Sequence, residues 1–192
     1  LRLLAARLVR EERYEEAKQP LSRLIELHPE QAGPESAYVL LADVHRRLGE
    51  TGAERAVLEE LSRRDAGRID AYERLMTLSS QQRDWTAAAD AAERMLAVHP
   101  LLPNGHRGLA RASEALGTPA RAIHAYRALL QMDPVDPAGL HHRLALALIS
   151  TGELEPARRQ VLMALEEAPR FRAAHRTLLE IVEAGPTGEQ ER

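Results

Sequence analysis

The sequence predicts an all-α fold: a solenoid of stacked helix–turn–helix units. Three observations carry that prediction. Ala, Leu, Arg and Glu dominate the 192 residues while aromatics make up only 3%, a composition of strong helix formers with few of the residues that favour strands. Prolines closing apolar helical segments recur at Pro29, Pro100, Pro134 and Pro169, the last three 34 and 35 residues apart. The longer gap before Pro100 holds a matching stop at "RRDAGR", with Ala66 in the place of the proline, so the period is 34 to 37 residues. Between these stops each unit carries an apolar stripe at helical spacing, a short break, and a second stripe.

Taken in order, the units fall at about 1–33, 34–67, 68–101, 102–136 and 137–169. The first has Leu1, Leu4, Ala5 and Leu8, then Ala17, Leu21 and Leu24. Pro20 lies inside its second helix, where an interior proline costs about 3 kcal/mol, so a bent or frayed helix is expected there. The second unit has Tyr38, Leu41, Ala42 and His45, the break "LGETG", then Leu58 and Leu61, with Glu54 where a small residue belongs. The third has Tyr72, Leu75, Met76 and Ser79, then Ala88, Ala92 and Met95. The fourth has His106, Leu109, Ala110 and Ser113, the break "LGTP", then Ala122, Tyr126 and Leu129. The fifth has His141, Leu144, Ala145 and Leu148, then Ala157, Val161 and Ala164. A last helix over 170–183 shows a stripe of Phe171, Ala174, Leu178 and Val182 and reads as a terminal cap on the array. The polar remainder, 184–192, is expected to be flexible.

The turns follow the same logic. Gly49, Gly117 and Gly152 stand just past first helices, where a left-handed residue closes the helix. Thr118–Pro119 and Asp136–Pro137 read as N-cap followed by N1, and Asp84 as the cap of the helix starting at Trp85. The small residues Ala5, Ala42, Ala110 and Ala145 let paired helices approach, with bulkier neighbours filling the grooves.

Several function classes are set aside. There are no cysteines, which removes disulfides, thiolate metal sites and a cysteine nucleophile. None of the eight histidines forms an i,i+4 pair, so no metal or cofactor is expected. His106, His141 and His175 recur at one repeat position, which argues for packing. No phosphate-loop, nucleophile-elbow or dinucleotide signature occurs, and "NGHRG" reads as a helix start. A net charge of −3 with few aromatics gives no nucleic-acid surface, and no apolar run is long enough for a membrane span. The chain opens on Leu1, already inside a periodic pattern. It reads as a piece of a longer, bacterial protein, cytoplasmic or periplasmic.

The pattern of Leu–Ala in each first helix, a small residue in each second helix and a late proline resembles the tetratricopeptide repeat (TPR) family over nearly the whole chain. The resemblance implies a right-handed α-solenoid of five repeats plus the capping helix over residues 1–183, non-enzymatic, with first helices lining a concave peptide-binding groove. Groove-facing residues are then Asp43, Arg46 and Arg47; Glu73, Thr77 and Ser80; Asn104, Arg107, Arg111 and Glu114; His142; and Arg176 and Glu180. Arginine is frequent among them and suits bidentate carboxylate recognition, so the expected partner is a protein or peptide segment of acidic character. The family's carboxylate clamp is not expected, because Arg2, Ala6 and Leu40 stand at its positions. Two alternatives remain: self-association through the groove or the N-terminal end, where Leu4 and Leu8 lack a cover, and the positioning of substrate for an enzyme encoded upstream.

Overall fold

The structure, a computed structural model, describes residues 1–184; the tail expected at 184–192 lies outside these except for Ala184, which ends a helix. Among the described residues the chain forms eleven helices and no strand. They are α1 (Arg2–Arg10), α2 (Tyr14–Leu27), α3 (Ala37–Leu48), α4 (Thr51–Arg64), α5 (Ile69–Gln81), α6 (Trp85–Val98), α7 (Pro103–Ala115), α8 (Pro119–Leu130), α9 (Pro137–Ser150), α10 (Leu154–Glu167) and α11 (Arg172–Ala184). Helices adjacent in sequence pack on one another within each of two compact units, Leu1–Pro100 with α1–α6 and Leu101 onward with α7–α11.

In the first unit, Ala5, Ala17, Leu21, Leu41 and Val44 form a buried cluster. Ala5 and Ala17 are fully buried where α1 packs on α2. Pro20 is also buried, and α2 runs through it to Leu27 without the expected fraying. The connection from α2 to α3 is held by Tyr38, whose hydroxyl donates to the Pro29 carbonyl at 3.0 Å, and by Arg68, which donates to the Ala32 carbonyl at 3.2 Å. Ser36 caps α3, and the Asp84 carboxylate caps α6 by accepting from the Ala87 amide at 3.1 Å.

In the second unit a continuous core includes Ala110, Ala122, Tyr126, Leu129, Leu144, Ala145, Leu148, Ala157, Val161 and Ala174. Asp136 caps α9 by accepting from the Gly139 amide at 2.8 Å. Thr118 departs from its expected role. It is the N-cap residue of α8, but its hydroxyl donates backward to the Ser113 carbonyl at 3.1 Å and caps nothing. The buried stripe of α11 is Ala174, Thr177 and Ile181, while Val182 faces out. A residue seven on from Ala174 returns closer to the same face than one eight on.

Gly49, Gly117 and Gly152 take φ values of 73°, 65° and 80°. The same place in the turns of the first and third repeats holds Glu12 and Arg83, with φ of 58° and 56°. A Cβ at Gly117 would meet nothing within 4 Å, so the cost of Gly117→Ala is purely conformational. We expect about 1 kcal/mol of lost stability, read from denaturant unfolding.

Candidate functional site

The first helices of each unit carry the candidate residues. In the first unit these side chains answer one another. Asp43 accepts from Arg46 one turn along α3 and lies 3.8 Å from Arg47. The Thr77 hydroxyl donates to the Glu73 carbonyl at 2.8 Å, inside its own helix. Ser80 is half-buried. The two arginines expected to face a ligand therefore already share a carboxylate at i+3 and i+4, positions that adjoin on a helix surface.

A cleft of about 370 Å³ opens between α3, α4 and α5, walled by Val39, Leu40 and Leu58, with Asp43 and Arg46 at its edge. Its floor holds a feature the sequence reading missed. Glu54 is 2% exposed. Both its carboxylate oxygens are taken by Arg74, Nε at 2.6 Å and Nη2 at 2.9 Å. The sequence signal was present: a carboxylate at a small-residue position needs a buried counter-charge, and the next first helix supplies an arginine. The carboxylate in turn raises the pKa of the Arg74 guanidinium.

In the second unit, Arg107 donates to Asn104 Oδ1 at 3.0 Å, and both are exposed, as is Arg111 one turn on. Glu114 accepts from the Tyr126 hydroxyl at 2.6 Å and from Arg143 at 3.1 Å, which joins α7, α8 and α9. Burial, and after it the Glu114 carboxylate, pushes the Tyr126 phenol well above its ordinary range. His142 Nε2 lies 3.0 Å from the Thr177 hydroxyl, and its ring stands edge-on to Phe171 with centroids 5.0 Å apart. It is thus part of the packing between α9 and α11. Arg176 and Glu180 are exposed on α11. The Arg143–Glu114 and His142–Thr177 contacts set α7, α9 and α11 side by side. This face presents Arg107, Arg111, Arg143 and Arg176 against Glu114 and Glu180, with Leu146 exposed among them. Arg143 and Leu146 were not among the expected groove residues: Arg143 is one position past His142 and so about 100° further around α9.

A second depression, about 600 Å³, lies where the connections into α9 and α11 meet, lined by Asp136, Gly139, Pro169 and Phe171; its carboxylate is the one that caps α9. Among the described residues no three His, Asp or Glu side chains stand together as a metal site, and no helix is long and apolar enough to cross a membrane.

Burial, then the neighbouring Arg143 charge, lowers the His142 pKa. The neutral ring is therefore favoured in the folded protein. Its contribution to stability is fully present above the ordinary histidine pKa, about 6.5, and is lost as pH falls through that value toward the lowered one. Thermal melts across this window should show the decline, and His142→Phe should flatten it. An unchanged slope in the variant would assign the decline to another group.

The sequence profile of the tetratricopeptide repeat matches residues 79–137. Residues 79–137 are thus similar to the tetratricopeptide repeat, and helix pairs of the same kind continue on either side of them. Solved structures of TPR proteins share its architecture. The crystal structure of MamA is 16% identical, with a TM-score of 0.60 over 93% of this chain and 96% of that one. YrrB, described as a TPR protein with an unusual peptide-binding site, is 16% identical, with a TM-score of 0.63 over 90% of this chain and 87% of its own. The first TPR domain of Spaghetti (RPAP3), bound to the HSP90 peptide SRMEEVD, is 19% identical, with a TM-score of 0.55 over 62% of this chain and 94% of that one. At these identities the likeness bears on the fold alone. No curated protein sequence matches this chain.

Proposed function

We propose that this chain is a TPR protein and a non-enzymatic protein-interaction scaffold, and that the first-helix face of its second unit holds an acidic segment of the partner. The observation that carries this reading is the composition of that face: four exposed arginines stand with two glutamates, one of which, Glu114, is engaged by Tyr126 and Arg143. Exposed guanidinium groups on helices held by a packed core are suited to carboxylates, and their rigid mounting limits the ordering cost on binding. Leu146 adds an apolar contact on the same face. YrrB and the Spaghetti domain, each a TPR protein described with a peptide site or a bound peptide, support the choice of a peptide-like ligand.

Peptide display on the immobilised protein tests the reading. Selected sequences should be enriched in Asp and Glu, and the double reversal Arg107→Glu/Arg111→Glu should abolish their capture with helicity retained. Enrichment of basic sequences, or capture unchanged in the double variant, would count against it.

A further inference from the structure

In a complete repeat, the face that the first helix turns toward its own second helix is buried. In α9 this face is His141, Leu144, Ala145 and Leu148, and its three apolar members are at most 2% exposed. The residues of α11 that align with these four are His175, Leu178, Leu179 and Val182. Here Leu179 is 63% and Val182 60% exposed. Among the described residues no second helix covers them. The helix beside them, α10, exposes Leu162 and Met163, where the other second helices carry Ser22–Arg23, Glu59–Glu60, Glu93–Arg94 and Arg127–Ala128. The apolar surface is therefore specific to this end of the second unit.

The charges around it are ordered. Arg172 and Arg176 lie in the first half of α11, Glu180 and Glu183 in the second. No acid stands in the first turn and no base in the last, which opposes the helix dipole and weakens an isolated helix. The same order becomes favourable against an antiparallel helix of identical sequence. A two-fold axis at the level of Leu178 sets Arg172 opposite Glu183 and Arg176 opposite Glu180, along the same edge of the contact, and does so twice.

We propose that two copies of this chain associate through α11, antiparallel about a two-fold axis, with Leu179 and Val182 packed at the centre and the Arg172–Glu183 and Arg176–Glu180 pairs along one edge. Each copy covers the face of the other that would pack against a second helix. The contact is isologous and closes at two. A contact made by one helix of each copy is smaller than an obligate interface, so the dimer should depend on concentration.

Sedimentation velocity on the chain over a wide concentration range is expected to show a monomer–dimer equilibrium, and Leu179→Asp should leave monomer only. Circular dichroism confirms that each variant is folded. The decisive arm uses two charge variants with Arg107 and Arg111 untouched, so that the groove reading is not at stake. Arg172→Glu/Arg176→Glu and Glu180→Arg/Glu183→Arg should each be monomeric alone and should form a heterodimer when mixed. A chain that is monomeric throughout, a dimer that survives Leu179→Asp, or a mixture that does not associate overturns the proposal.

Discussion

Methionine in place of Arg74 is expected to cost about 3 kcal/mol, the lower end for breaking a buried ion pair because Arg74 itself is partly exposed. Methionine keeps the unbranched stem that packs beside the cleft and removes only the guanidinium that holds both oxygens of Glu54. The carboxylate is then buried without a partner. Glu54→Ala should behave differently. It restores the small residue found at this place in the other repeats, and it frees Arg74 to turn toward water, so its effect should stay within about 1 kcal/mol. The double variant should be more stable than Arg74→Met alone. Chemical denaturation of the four proteins closes the cycle. Equal losses from the two single changes would show that the pair is not the source of the effect.

The reciprocal experiment is Ala157→Glu. Ala157 stands in α10 where Glu54 stands in α4, and it is fully buried. The residue of α11 aligned with Arg74 is Thr177, itself buried and engaged with His142. A glutamate at 157 therefore meets no counter-charge, and its carboxylate must either stay ionised in an apolar site or take up a proton. We expect the second unit to lose about 4 kcal/mol or more, a large part of the stability of an ordinary domain. Because burial raises the carboxyl pKa, the loss should shrink as pH falls toward the acid range, whereas Ala157→Gln should show no such recovery. A melting temperature close to the parent's would mean that the helices part more easily than their packing indicates.

The repeat architecture was legible in the sequence because its signals are local and periodic. Late prolines, left-handed glycines and alanines at helix crossings each report a backbone requirement that no distant residue can alter. The site was less legible, because side-chain pairing depends on what lies opposite. The occupation of Arg46 by Asp43 could have been read from their spacing. The capture of His142 by Thr177 and Phe171 could not, since those residues lie some thirty positions away. Thr118 had the identity and position of a cap, yet its hydroxyl found a nearer acceptor in the turn it closes. In α11 the choice between Ile181 and Val182 turned on one residue of helical phase, which composition does not resolve.

Glu54 and Arg74 also bear on how such an array can be inherited. Repeat proteins lengthen and shorten by duplication and loss of whole units, which is tolerated when every unit presents the same surface to its neighbour. Here the second repeat is compatible only with a successor carrying arginine at one position. Excision of the third repeat in frame would set Gly108 at the position of Arg74 and strand a carboxylate in the junction. The second and third repeats are therefore a linked pair, to be gained or lost together, while their neighbours remain free to be rearranged.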